Sequence, residues 1–372
     1  MTQTTRRVEL SAPWIDERDE ELVLETLRSG RLSLGPVGPR FEAALCEATG
    51  AQHAAAVSSG TAGLHLSMRL AHVQPGDEVV TSPYSFAASA NCAIYEGATP
   101  VFAEIDPRTF NLHPDAVEAV ITDRTRAVVA VDIFGYPCEL DPLLAVCERH
   151  GLRLVEDACE ALGARYRGQP IGSHGHPAVF AFYPNKQMTT GEGGAVMTND
   201  AREHELLVSL RNQGRLETSS WLMHGRLGYN YRLDDISAAL GLGQLEKLDA
   251  ILDARRSVAS RYAELLADVE VELPLADDAD HERSWFVYVV KLPSGVDRDA
   301  VIGRLSDRGV SAAPYLPSIH LQPYMRERYG FREGMLPVSE DCSRRTLALP
   351  FHARLDPDDQ EYVVEALRAV FA

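Results

Sequence analysis

Apolar and polar positions follow two rhythms along the first half of the chain. Residues 16–28 repeat apolar positions at helical spacing, and Gly30 suits the end of that helix. Residues 41–48 read as a second helix. Beyond them, short apolar runs trade places with helical stretches. The runs at 53–59, 78–81, 99–103, 127–131 and 152–156 predict strands. The stretches at 61–71, 85–95, 114–120 and 141–150 predict helices. This alternation predicts an α/β domain, a mostly parallel sheet with helices on both faces. One more strand is expected at 178–183.

Near residue 235 the pattern changes. Residues 235–266 are helix-rich with charged faces, as one long helix or two. A strand at 284–292, a helix at 298–307 and a closing helix at 360–370 follow. The reading is a large domain over 1–245, with an N-terminal helical segment, and a smaller α+β domain over 246–372. A long helix could bridge the two.

Composition narrows the function. The 372 residues are 45% hydrophobic and 24% charged, ordinary for a globular protein, and the formal net charge of -18 disfavours nucleic acid and anionic membranes as partners. It leaves room for a small phosphorylated ligand, which local backbone groups can bind. The six cysteines form no CxxC, and no His or Cys cluster follows at zinc spacing, so no metal is expected. They read as small buried hydrophobes in a reducing cytoplasm. The N-terminal MTQTTRRVELSAPW lacks the apolar segment of a signal peptide, and no window reaches the ~20 apolar residues of a spanning helix.

Four stretches carry candidate chemistry. "SSGTAGLH" (58–65) ends a strand and begins a helix, where free N–H groups bind anions and Thr61 adds a hydroxyl. It could also be an ordinary turn capped by Thr61. "LVEDACEALG" (154–163) sets Glu156 and Asp157 at a strand end, where open parallel sheets collect ligands. A carboxylate there needs a partner, for which a protonated ring nitrogen would serve; N-capping by Asp157 is the plainer alternative. In "FYPNKQMTTGEGG" (182–194), Lys186 follows Asp157 by 29 residues with one strand between, so both side chains can meet at one sheet edge. A partly desolvated lysine amine attacks aldehydes. Most lysines lie on the surface, but the Tyr183-Pro184 step and Gly191, Gly193 and Gly194 argue for a special place. "LGYNYRLDD" (227–235) offers the Asn230 amide to a phosphate, or is a structural turn. Phosphate, ring nitrogen and aldehyde are three features of pyridoxal 5′-phosphate (PLP). Phe86 in "YSFAASAN" offers a flat neighbour for its ring, with Tyr84 as the alternative and core packing open to both.

The chain resembles the DegT/StrS-type sugar aminotransferases over nearly its whole length. "SGRLSLGP", "SSGTAGLHL", "TSPYSFAASAN", "LVEDACEALGARYRG", "FYPNKQMTTGEGG", "LRNQGR", "GYNYRLDDISAALGLGQL" and "YLPSIHLQPYMRERYG" carry the likeness. The resemblance implies a fold type I PLP-dependent transferase, its large domain built on a mostly parallel, seven-stranded type of sheet. It implies that Lys186 holds PLP as a Schiff base, Asp157 pairs with the pyridine nitrogen and Phe86 stacks on the ring. Gly60, Thr61 and the Ala62 backbone then bind the phosphate, and Asn230 reaches the phosphate of a neighbouring subunit in a homodimer with shared sites. Glu160 stands near the cofactor hydroxyl, where many relatives have Gln or His. Tyr183, Tyr315 and His320 are the candidate substrate contacts.

The implied reaction moves an amino group from L-glutamate or L-glutamine to a keto-sugar nucleotide, in amino-sugar biosynthesis. A keto-cyclitol acceptor is the alternative within the same chemistry, and a non-catalytic PLP-binding protein is the alternative of another class. Related sugar dehydratases carry His at the lysine position, so Lys186 favours transamination. Two departures stand out besides Glu160. Ala181 occupies the place of a phosphate-binding serine, and Ala313 a place where relatives often carry Arg.

Overall fold

The computed structural model describes residues 6–216 and 223–371. The first five residues of the segment read for a signal peptide lie outside them.

The helix Glu17–Ser29 begins at Asp16, whose carboxylate accepts from the Arg18 and Asp19 N–H groups, and stops at Gly30 in the left-handed region. A second helix, Val37–Thr49, follows. The central sheet has seven strands in the order His53–Val57, Gly194–Thr198, Ala178–Ala181, Arg153–Asp157, Thr125–Val131, Glu78–Thr81 and Thr99–Phe102. Only Gly194–Thr198 runs against its neighbours. The other contacts from Ala178–Ala181 to Thr99–Phe102 are parallel.

Alternation along the strands sorts the core into two layers. Val128, Ala130, Leu154, Phe180 and Met197 face the helices Val37–Thr49 and Leu140–His150. Ala127, Val129, Val155, Val179 and Val196 face the helices Gly60–Leu70, Ala88–Tyr95 and Ala201–Arg211. Every parallel strand therefore points its C-terminal end to one edge. That edge receives the loops after Val57, Thr81, Val131, Asp157 and Ala181.

The helical stretch after residue 235 is two helices, Asp235–Glu246 and Leu248–Leu265, broken at Lys247. A smaller antiparallel sheet joins Tyr288–Lys291, Thr346–Leu349 and Ala313–Pro314. Its apolar cluster includes Tyr262, Val301 and Leu367 from three helices, and also Val8. Val8 pairs with Val310, so the residues before the first helix pack with the C-terminal unit.

The sequence pattern left several elements unassigned, among them the strand Gly194–Thr198, the helices Ala201–Arg211, Pro323–Tyr329 and Pro337–Arg345, and the strand Thr346–Leu349. The first follows a glycine-rich turn, and its apolar run of Ala195, Val196 and Met197 is too short to show a period. No helix among the described residues is long and apolar enough to cross a membrane.

Candidate active site

A cavity of about 570 Å³ opens at the edge where the parallel strands end. Its walls include Gly60, Thr61, Phe86, Asp157, Glu160, Tyr183, Lys186 and Tyr315, so eight of the eleven residues singled out from the sequence meet there. Three do not.

Ala62 is one turn into the helix Gly60–Leu70, behind the wall. Its N–H donates to Ser59 Oγ at 3.1 Å, which makes Ser59, and not Thr61, the N-cap. The N–H groups of Gly60 and Thr61 occupy the first two helical positions, which have no acceptor inside the helix. Both residues border the cavity with Ser59, so the helix start offers N–H groups of the kind that can bind an anion. A Cβ on Gly60 would lie 2.8 Å from both Ala181 Cβ and Cys159 Sγ, so this helix start packs as tightly on the sheet edge as a bare backbone allows.

Asn230 is exposed and bridges by its backbone to Asn212, and it does not line the cavity of its own chain. His320 is placed elsewhere altogether. It is 0% exposed, its Nε2 lies 3.1 Å from Glu340 Oε1, and its ring packs near Phe102 and Phe331. It therefore forms no part of the cavity wall of its own chain. The short 3-10 turn Ile319–Leu321 folds it inward against the sheet's edge strand.

Asp157 ends its strand in register with Val131 and Val179. It is 5% exposed. Its Oδ2 accepts from Ser89 Oγ at 2.6 Å, and its Oδ1 from the Cys159 N–H at 3.3 Å. These donors orient the carboxylate from behind and offset part of its desolvation. Ser89 was missed in the sequence, although it sits three residues after Phe86 in "YSFAASAN". Phe86 itself lies in the loop before the helix Ala88–Tyr95, not on the helix. Its ring is 67% exposed, an uncovered apolar face on a cavity wall.

Lys186 comes after the strand Ala178–Ala181, on a turn where its N–H donates to Tyr183 O at 2.9 Å. Its Nζ lies 3.4 Å from Glu160 Oε1 and 4.0 Å from the centre of the Phe286 ring. Glu160 is held from the other side by the Phe134 N–H, at 2.8 Å from Oε2. Burial pushes the Glu160 carboxyl up from the ordinary carboxylate range; the Lys186 ammonium and the Phe134 N–H pull it back, and Asp157 adds repulsion. Phe286, a second residue not foreseen, belongs to the C-terminal unit, and a lone Phe in an apolar run carries no signal of such a role. Tyr315 completes that wall, and burial raises its hydroxyl's pKa.

Behind Asp157, the fully buried Asp132, Cys138 and Glu156 bring ligand-type atoms within 4.8 Å of one another. Burial, foremost, pushes both carboxyls up, Glu156 to about 8.

The donor set fits PLP on four counts. One amine faces the cavity, one buried carboxylate is oriented toward it, one apolar ring lies uncovered on its wall, and one helix start offers unpartnered N–H groups. Ala181 lines the same wall without a hydroxyl.

Comparison with known proteins agrees. Residues 13–368 match the DegT/DnrJ/EryC1/StrS aminotransferase family. The chain is similar to the GDP-perosamine synthase of Caulobacter vibrioides, 38% identical with 98% of each chain covered. It is similar to DesV of S. venezuelae, solved in complex with a ketimine intermediate, at 34% identity and a TM-score of 0.90, covering 97% of this chain and 98% of that one. It is also similar to the PLP form of the putative sugar aminotransferase Spr1654 from Streptococcus pneumoniae, at 27% identity and a TM-score of 0.93, covering 98% of each.

Proposed function

The chain belongs to the DegT/DnrJ/EryC1/StrS aminotransferase family, and on that footing we propose that it moves an amino group from L-glutamate or L-glutamine to a keto-sugar nucleotide. It is a PLP-dependent transaminase of fold type I. The observation that carries the proposal is the single cavity shared by Lys186, Asp157, Phe86 and the start of the helix Gly60–Leu70. The similar GDP-perosamine synthase is named for an amino-sugar nucleotide, which supports an acceptor of that class.

Bound PLP supplies an aldehyde for amines and a ring that accepts electrons from the carbon next to nitrogen. The protein supplies the rest. Lys186 Nζ would hold the cofactor, and the free amine would serve as the base that takes and returns the substrate proton. Glu160, 3.4 Å away, keeps an acceptor beside that nitrogen. Asp157 would pair with the ring nitrogen and keep its proton, and Ser89 holds Asp157 by its hydrogen bond. Phe86 covers one ring face. Gly60 and Thr61 seat the phosphate, while Tyr183 and Tyr315 face the substrate.

We read the active form as a homodimer in which Asn230 serves the second copy, since this exposed side chain has no place in its own cavity. Cys46, Cys92, Cys138, Cys147, Cys159 and Cys342 are all unpaired, which supports a cytoplasmic setting.

The test has two steps. Borohydride treatment of PLP-loaded protein should fix the cofactor to the peptide containing Lys186. L-glutamate or L-glutamine should then convert the bound cofactor to its amine form, and a panel of keto-sugar nucleotides and keto-cyclitols should restore the starting spectrum for the true acceptor. Cofactor fixed elsewhere, or a spectrum inert to both donors, would refute the proposal. Restoration by cyclitols alone would reassign the acceptor.

A further inference from the structure

The helix Leu248–Leu265 buries Leu248, Ile251, Val258, Ala259 and Tyr262 along one face, and in the middle of that apolar stripe stands Arg255. Arg255 is 2% exposed, and no carboxylate pairs with it among the described residues. A guanidinium in such a place is costly unless its donors are used. Here both Nη groups are spent on backbone, and only Nε has no partner. Nη2 donates to Lys186 O at 2.8 Å, and Nη1 to Phe286 O at 3.1 Å and Trp285 O at 3.3 Å. The two segments so joined carry the two groups that meet in the cavity, the Lys186 ammonium and the Phe286 ring, 4.0 Å from its centre. Trp285 has φ +52, a left-handed conformation that a bulky side chain holds only when its surroundings enforce it.

We propose that Arg255 is a positioning residue for the reaction, a fork that fixes the backbone of Lys186 against the Phe286 segment of the C-terminal unit and so sets where Nζ stands. The proposal rests on the reading of Lys186 as the cofactor-holding base. The fork's rigidity matters, because two parallel N–H vectors bind two chains at a fixed separation, whereas a lysine ammonium at the end of a flexible stem can hold one carbonyl at a time. Without the fork, the turn around Lys186 keeps its own hydrogen bond to Tyr183 O and the Gln187 side chain's bonds to Glu160 O and Ser284 Oγ, none of which holds the Lys186 carbonyl. Misplacing a catalytic atom by about 1 Å costs on the order of 10²-fold in rate. The charge also lies on the backbone side of Lys186 and not in the cavity wall, so Arg255 acts through Lys186 and not on substrate.

The experiment compares wild-type holoenzyme with Arg255→Lys and Arg255→Met. Borohydride fixation to Lys186 in the wild type is checked first; its failure would remove the reading beneath this one, and this one with it. With that in place, Arg255→Lys is expected to lower kcat by about 10²-fold with KM nearly unchanged, and Arg255→Met to lower it further. In the cofactor-free proteins, amide hydrogen exchange should quicken in the segment 183–190 while the central-sheet amides hold their protection. Full kcat in either folded variant overturns the proposal. So does a parallel fall in kcat and apoprotein Tm, with equal loss in both variants and exchange quickened throughout, which would mean that Arg255 only holds the fold together.

Discussion

Ala181→Ser should make this protein hold PLP more tightly. Ala181 closes the strand Ala178–Ala181, pairs with Gly194 and borders the cavity beside Ser59, Gly60 and Thr61. The start of the helix Gly60–Leu70 packs so closely on it that a Cβ on Gly60 would be 2.8 Å from the Ala181 Cβ. A hydroxyl at 181 therefore enters the same cavity corner as the two helix N–H groups. A hydrogen bond to a charged group contributes about 1.5–3 kcal/mol net. At about 1.4 kcal/mol per tenfold, the PLP Kd should fall roughly tenfold to roughly a hundredfold. The assay is titration of cofactor-free protein with PLP, followed by absorbance and tryptophan fluorescence, for wild type and variant at one ionic strength. An unchanged or larger Kd in a variant of unchanged Tm would show that the phosphate does not sit at this helix start, and the assignment of Gly60 and Thr61 would go with it.

Three further outcomes follow from the same geometry. Asp157→Asn removes the charge that Ser89 orients at 2.6 Å, and kcat should fall far more than PLP affinity, whereas Thr61→Ala should weaken affinity with little change in kcat; steady-state kinetics and PLP titration separate the two. Phe86→Ala strips the exposed cavity ring and should raise the PLP Kd by up to about tenfold, in line with about 0.5–1.5 kcal/mol for aromatic stacking beyond area burial; an unchanged Kd would remove Phe86 from the site. The third concerns pH. Asp132 and Glu156 are buried with their carboxyls pushed up, Glu156 from 4.5 to about 8, so the folded state binds more protons than the unfolded one in that window. This contribution to stability is complete below about pH 4.5 and is lost as pH rises toward about 8. Urea unfolding of apoprotein across that range should show wild type losing stability relative to Glu156→Gln as pH rises, and parallel curves would refute the buried-acid account.

The alternation of short apolar runs and helical stretches was enough to read the large sheet's parallel strands, because all but the edge strand Thr99–Phe102 are largely buried on both faces. The helical stretch after residue 235 was legible from its periodicity as one helix or two, and the break at Lys247 came from the structure; the strand Tyr288–Lys291 was legible from its apolar run. The strand Gly194–Thr198 was not, since its meaning comes from pairing antiparallel with two strands distant in sequence. Lys186, Asp157 and Phe86 could be picked out as residue types at strand ends. Ser89 and Phe286 could not, because a buried serine and an apolar phenylalanine look alike in sequence whatever they touch. His320 shows the converse. Its motif suggested a contact, and the fold turned it inward onto Glu340.

By itself, then, the sequence determined the layered α/β plan, the lysine and carboxylate at one sheet edge, and the lack of a hydroxyl at Ala181. These follow from local pattern and residue chemistry. Only the tertiary structure decided that Ser59 caps the helix over Thr61, that Lys186 stands between Glu160 and Phe286, and that Arg255 reaches across from the second unit to hold its backbone. Apart from the Ser59 cap, which is local, those facts depend on contacts between residues 26 to 100 apart, and separations of that size are set by packing, which no window along the chain can report.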